Sequence, residues 1–236
     1  MNAPVKCRLQ AHRLSAVRRH RLGFTLTEIL AVLAIISIVT AATFSYGLIG
    51  PKGMGKVEGS GNQVVDLIDL ARQTAVSKNE MTALVVVTDP SVGLRNQLLM
   101  VYELQMPVNG SAPTSANWVP STGWQMLYHG VLADPNPTYF TFNNSSDSSS
   151  TAGVPSPSFP AINYLGQNVS TYKYLVFTAD GSLLSGNSAT VRISPGAFPQ
   201  GSSTVVYAGG TTGGVPNNYY NITILGATGM VKIDRP

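Results

Sequence analysis

Between Glu28 and Lys52 the chain carries 23 consecutive uncharged residues, mostly Ile, Leu, Val and Ala. As an α-helix at about 1.5 Å per residue this run extends about 35 Å, enough to cross a hydrocarbon core roughly 30 Å thick. A narrower apolar stripe follows. Val64, Leu67, Ile68, Ala71, Ala75 and Val76 recur at i, i+3 and i+4 spacing, which predicts an amphipathic helix from about Asn62 to Lys78. Asn62 suits its N-cap, Asp66 and Asp69 sit in its N-terminal half, and Lys78 lies in its last turn. After Lys78 the pattern shifts to short runs rich in β-branched and aromatic residues. Strands are expected at Thr82–Thr88, Gln97–Gln105, Gln125–Leu132, Tyr172–Thr178, Ala189–Ser194, Thr204–Ala208, Tyr220–Leu225 and Met230–Ile233. Asp180-Gly181 and Gly226 to Gly229 supply hairpin turn chemistry. The patterns together predict an α+β protein, with an apolar N-terminal helix and a second helix packed on an antiparallel β-sheet.

Two segments interrupt the periodicity. Tyr46 to Asn62 contains Gly at 47, 50, 53, 55, 59 and 61, and Pro51 disfavours helical geometry at Gly50. The reading for residues 51–61 is a meltable joint between the apolar helix and a domain spanning 62–236. A nucleotide loop does not fit there: Gly53 to Gly59 reads G-x-G-x-x-x-G, with no strand before it and no Gly-Lys-Ser/Thr after it. The second segment, Met106 to Ser170, holds eight of the 15 prolines and the Ser-rich run Asn143 to Pro160. It reads as a long loop insertion, mobile over its Ser-rich part. Its two readings are a recognition surface and a solvated insertion without a partner.

Charge divides the chain unevenly. Six of the 15 basic residues (Lys6, Arg8, Arg13, Arg18, Arg19 and Arg21) precede Phe24, and no acid precedes Glu28. The remainder has nine basic against 11 acidic residues, so the sequence pI of 9.2 belongs to the first 23 residues. That balance does not describe a nucleic-acid-binding domain; Lys232 and Arg235 are the only candidate pair of phosphate-binding cations. The basic leader places the N-terminus in the cytoplasm and the C-terminal domain on the other side of the membrane.

Little chemistry is available. Cys7 is the only cysteine and His129 the only histidine after the leader, which excludes an intrachain disulfide and a His/Cys zinc site past residue 23. No nucleophile-elbow motif accompanies His129, which reads as a surface or strand-end histidine. Asp147 alone is a poor start for a calcium site. No catalytic residue, metal or cofactor is expected.

The apolar run itself admits three readings. A cleaved secretory signal would use the small residues of Val39 to Ala42, but an h-region is shorter and does not open on a carboxylate. A plain signal anchor leaves Glu28 unexplained. The third reading rests on Arg21-Leu22-Gly23-Phe24-Thr25-Leu26-Thr27-Glu28, which resembles the processing signal of type IV pilins and type II secretion pseudopilins; Thr27 stands where that family usually has an aliphatic residue. The resemblance implies cleavage by a prepilin peptidase after Gly23, N-methylation of Phe24, and Glu28 as the assembly carboxylate that meets the Phe24 amine of a neighbouring subunit. It also implies a cleavable leader over 1–23 and a membrane or filament-core helix over 24–50.

A second resemblance is narrower. Ala71, Arg72, Ala75 and Asn79, leading into Met81–Thr88, together with Phe177, Gly181 and Gly229, are similar to the GspH/FimT group of minor pseudopilins and minor pilins. The Ala-Arg-x-x-Ala run and long β domain also resemble pilin-like proteins of four-gene cassettes in Verrucomicrobia. The family implies a GspH-type fold and a single-pass protein of the bacterial inner membrane that enters a filament. Its implied partners are prepilin peptidase, other pilins or pseudopilins, and secreted cargo. The alternatives are a DNA-binding minor pilin acting in uptake, through Lys232 and Arg235, and a plain envelope anchor.

Overall fold

The structure, a computed structural model, describes residues 26–36, 52–147, 151–199 and 201–235. The chain divides into two units, Met1–Gly50 and Pro51–Pro236. In the first, residues 26–36 form helix α1. Its seven large apolar side chains, from Leu26 to Ile36, are all at least half exposed. The rest of the expected 24–50 span lies outside the described residues, among which no helix is long and apolar enough to cross a membrane.

The second unit opens with helix α2, Lys52–Lys78. It starts ten residues before the expected Asn62, so the stretch read as a joint is helical over 52–61. The reason is packing. The stripe that touches the sheets runs Val57, Ser60, Gly61, Val64, Ile68, Ala71 and Ala75, and its small members carry no hydropathy signal. A Cβ on Gly61 would lie 2.4 Å from the Tyr220 ring, and one on Gly59 would lie 2.8 Å from the Tyr128 ring. The glycines admit aromatic rings to the helix surface, and that contact outweighs their poor propensity.

The strands in chain order are β1 Thr82–Val87, β2 Leu98–Leu104, β3 Trp118–Pro120, β4 Gln125–Met126, β5 Val131–Ala133, β6 Asn143–Asn144, β7 Ile162–Tyr164 and β8 Gln167–Val169. They continue with β9 Tyr172–Phe177, β10 Ala189–Ala197, β11 Val206–Tyr207, β12 Thr211–Thr212, β13 Val215–Pro216, β14 Tyr220–Ile224 and β15 Val231–Asp234. The first sheet has the order β3-β2-β1-β9-β6, with β4 also on β2; the second runs β11-β10-β14-β15, with β5 also on β10. All of these pairings are antiparallel. The expected strand Gln125–Leu132 is split into β4 and β5 by a turn at Gly130, whose φ is +81°.

Register explains the layers. Leu84 faces Val101 and Leu175 across the first sheet, and Val86 faces Leu99. With Phe177, and with Ile193, Ile222 and Ile224 of the second sheet, they enclose the apolar stripe of α2 in one core. The opposite face of the first sheet, Ala83, Val85, Val87, Met100, Tyr102 and Tyr174, belongs to a second core. That core is closed by the Pro-rich segment 106–170. Trp118, Ile162 and Val169 are buried, and the Phe159 ring lies 4.5 Å from Trp118 and 5.0 Å from Tyr174. The segment read as a loop insertion is therefore a packed outer layer, because β1 and β2 bury both faces and need cover on each. Residues 148–150 of its Ser-rich run lie outside the described residues.

Candidate assembly and recognition sites

Glu28 sits in the first turns of α1 with its side chain exposed. Leu26, Ile29, Leu30 and Leu33 lie around one side of that helix, and Val32, Ile35 and Ile36 extend the apolar surface around the rest. A helix apolar on all sides belongs inside a larger assembly or a membrane. Gly23 and Phe24 lie outside the described residues.

The residues that carry the GspH/FimT resemblance converge at one place in the second unit. Asn79 follows the last helical residue with φ +55°, and the Glu80 amide donates to the Ala75 carbonyl at 3.2 Å, the closing bond of a left-handed helix cap. Ala71 and Ala75 are fully buried, and the Thr82 hydroxyl donates to the Ala71 carbonyl at 2.6 Å. Arg72 reaches from α2 to donate through Nε to the Thr228 carbonyl at 2.9 Å. Gly229, at φ +65°, lies so close that a Cβ there would meet the Gly181 carbonyl oxygen at 2.1 Å and Phe177 Cε1 at 3.1 Å. The motif thus joins helix end, β9 hairpin and final turn. In the adjoining turn, hydrogen bonds from the Thr178 hydroxyl and the Ser182 amide hold the Asp180 carboxyl at about 2.

Lys232 and Arg235, at the C-terminal strand and just past it, each lie beside an acid. Lys232 Nζ lies 3.3 Å from Asp234 Oδ1, and Arg235 Nη1 donates to Glu58 Oε1 at 2.7 Å. Arg235 also stands over the Tyr220 ring, whose hydroxyl donates to Asn62 Oδ1 at 2.7 Å. Both cations already face carboxylates, and the Arg235 pair ties the C-terminal strand to α2. His129 is exposed in the turn between β4 and β5, and among the described residues no group of His, Cys, Asp and Glu could hold a metal.

Among the described residues Arg192, Arg95 and Lys173, not singled out from sequence, have no carboxylate within ion-pair distance. Arg192, on β10 and 5% exposed, lies between the rings of Tyr139 and Tyr219, its Cζ 3.2 and 4.3 Å from their centroids. Arg95 stacks on Phe198 at 3.5 Å and donates to the Ser202 carbonyl. Lys173 Nζ donates to the carbonyls of Phe140 and Phe142 at 2.9 and 3.3 Å. Arg95 and Lys173 line one cleft of about 200 Å³ with Thr88, Asn96 and Ser203. A neighbouring cavity of about 460 Å³ shares Arg95, Phe198 and Ser203. No periodicity or spacing in the sequence brings Arg95 to Lys173; only the fold does.

The second unit, a long helix sealed against antiparallel sheets with its signature residues at the helix end, defines an α+β domain of GspH type. Residues 60–211 match the family model for the type II transport protein GspH, and the chain belongs to that family. Residues 18–44 match the prokaryotic N-terminal methylation motif. Among solved structures the chain is similar to the type IV minor pilin FimU of Pseudomonas aeruginosa, at 15% identity and a TM-score of 0.39, covering 77% of this chain and 93% of that one. It is also similar to the minor pseudopilin EpsH of the Vibrio cholerae type 2 secretion system, at 12% identity and a TM-score of 0.39, covering 77% and 98%. No curated protein matches it in sequence.

Proposed function

We propose that this GspH-family protein is a non-enzymatic minor subunit of a type II secretion pseudopilus or a type IV pilus-like filament. A prepilin peptidase cuts after Gly23 and methylates the Phe24 amine. The chain then waits in the bacterial inner membrane with its C-terminal domain outside the cytoplasm, until neighbouring pilins or pseudopilins draw it into the filament.

The observation that carries this reading is one carboxylate at the head of an apolar helix, inside a match to the N-terminal methylation motif. Near the end of a membrane helix an acid costs less than the roughly 2.5–3.5 kcal/mol it costs at the bilayer centre. In a packed bundle of such helices a lone charge is far more expensive, and an opposite charge offsets it. The free amine of another subunit's Phe24 is that charge, so Glu28 sets the axial register of one subunit on the next. The β domain contacts other minor subunits or secreted cargo.

Co-expression with a prepilin peptidase, followed by intact-mass analysis, tests the reading. The expected product lacks the first 23 residues and carries one added methyl group. An uncut chain, or an N-terminus at another residue, would refute it.

A further inference from the structure

The cleft where the two sheets meet has a composition that neither fold nor filament assembly requires. Its walls come from the end of β1 (Thr88), the turn before β2 (Arg95, Asn96), the segment after β5 (Pro135, Phe140), the start of β9 (Lys173) and the segment after β10 (Phe198, Ser203). Asn96 and Phe140 are buried at its floor, Thr88, Arg95 and Lys173 are half-buried, and Pro135 and Ser203 are exposed at its rim. Two cations therefore line one space with no acid among its described lining residues.

The nearby acids are spent elsewhere. Asp89 accepts from the amides and hydroxyls of Ser91 and Ser170 and from the Thr171 amide. Asp134 accepts the Tyr207 hydroxyl at 2.8 Å and the Asn136 amide at 3.0 Å. Asp147 takes the Asn144 amide at 2.6 Å and acts on Lys173 only through space. The cations keep donors in reserve: Lys173 uses two of its three on Phe140 and Phe142, and Arg95 one of its five on Ser202. Stacking on Phe198 occupies the face of the Arg95 guanidinium and leaves its in-plane donors available. Burial lowers the Lys173 pKa, which Asp147 partly offsets, and a bound anion would favour the charged form further.

We propose that this cleft binds a single oxyanion, carboxylate or phosphate, held between Arg95 and Lys173 with Thr88, Asn96 and Ser203 as polar neighbours. The two sources of that chemistry are an acidic side chain on a partner polypeptide and a small free phosphate. The inference does not depend on the filament reading, and its test is independent of processing.

The test uses the full chain in detergent micelles at constant ionic strength, titrated calorimetrically with inorganic phosphate and, separately, with glutarate as a carboxylate probe. Two charge-assisted contacts imply a dissociation constant on the order of 1 mM. Tighter binding of glutarate assigns the acidic side chain, and tighter binding of phosphate assigns the free anion; either supports the site. Arg95→Gln and Lys173→Gln should each weaken binding roughly tenfold. Because Lys173→Gln can disturb the Phe140 carbonyl it supports, Ser203→Glu is the decisive variant. It places a carboxylate at the exposed rim, should leave the melting temperature unchanged, and should abolish binding. Failure of both probes to bind the wild-type chain, an affinity unchanged by Arg95→Gln, or binding that survives Ser203→Glu overturns the proposal.

Discussion

Replacing Gly61 by Ala sets helix propensity against packing, and the structure says which prevails. In an open helix the change would stabilise by about 1 kcal/mol. Here the new Cβ would stand 2.4, 2.5 and 2.8 Å from Cδ1, Cγ and Cε1 of Tyr220. That ring cannot step aside, since Tyr220 is 1% exposed and packed with Ile222 and Ile224 in the core. Overpacking of this kind costs about 1–3 kcal/mol, and displacing the ring also strains the Tyr220–Asn62 hydrogen bond, about 1 kcal/mol more. The net expectation is destabilisation by about 1–3 kcal/mol once the propensity gain is subtracted. Gly55→Ala is the matched control: nothing lies within 4 Å of its Cβ, so it should be neutral or stabilise by up to about 1 kcal/mol. Urea titration of the full chain in micelles, followed by the emission of Trp118 and Trp124, reads both. If Gly61→Ala is as stable as Gly55→Ala, the glycines are a joint after all and the packed-helix account fails.

Three further outcomes follow from the same contacts. Phe159→Ala, which strips the ring that spans Trp118, Tyr102, Tyr172 and Tyr174, should lower stability by about 2–4 kcal/mol; an unchanged urea midpoint would mean the 106–170 layer is not part of the core. Asp89 is buried, and burial alone would raise its carboxyl pKa, but hydrogen bonds from Ser170 and Ser91 outweigh this and hold it well below the usual carboxylate range. A depressed pKa gives stability that is present above the unfolded value near 3.9 and lost as pH falls below it, so Asp89→Asn should be less stable than wild type at pH 7 and converge with it under acid; a gap that does not narrow on acidification would contradict this. Leu165 holds φ +49° at the tip of the β7–β8 hairpin, beside Gly166, and is 86% exposed. Leu165→Asn should raise the melting temperature, because Asn adopts that backbone more readily and almost no contact is lost; a lower value would show that the leucine is held by packing.

Much of the scaffold was legible from residue patterns. β1, β2, β9, β10, β14 and β15 each lie within a residue or two of the expected runs, apart from the longer C-terminal end of β10. Val64, Leu67, Ile68, Ala71 and Ala75 of the expected stripe form the packed face of α2, whereas Val76, read with them, is 50% exposed. The first half of that helix was hidden, because Ser60 and Gly61 contribute fit rather than hydrophobicity. The second core was hidden differently. Its cover comes from Trp118, Phe159 and Ile162, set singly among prolines, serines and asparagines where no period exists to read. A signal was present in β1 and β2, whose runs Ala83–Val87 and Leu98–Tyr102 are continuously apolar and so demand burial on both faces. The pairing of Arg95 with Lys173 had no local signal at all, since it depends on how the turn after β1 meets the start of β9.

The contact between Tyr220 and the N-terminal half of α2 also fixes when the domain can finish folding. The Tyr220–Asn62 hydrogen bond closes a loop of 158 residues, and contacts at such separation form slowly. Synthesis proceeds from the N-terminus, so α2 and β1 emerge long before β14 exists to cover them. Until Tyr220, Ile222 and Ile224 arrive, the apolar stripe of α2 has only part of its shelter. A chain stopped short of Tyr220 would lose more than an edge of sheet: it would leave the apolar stripe of α2 exposed as a target for proteases and for other unfinished chains.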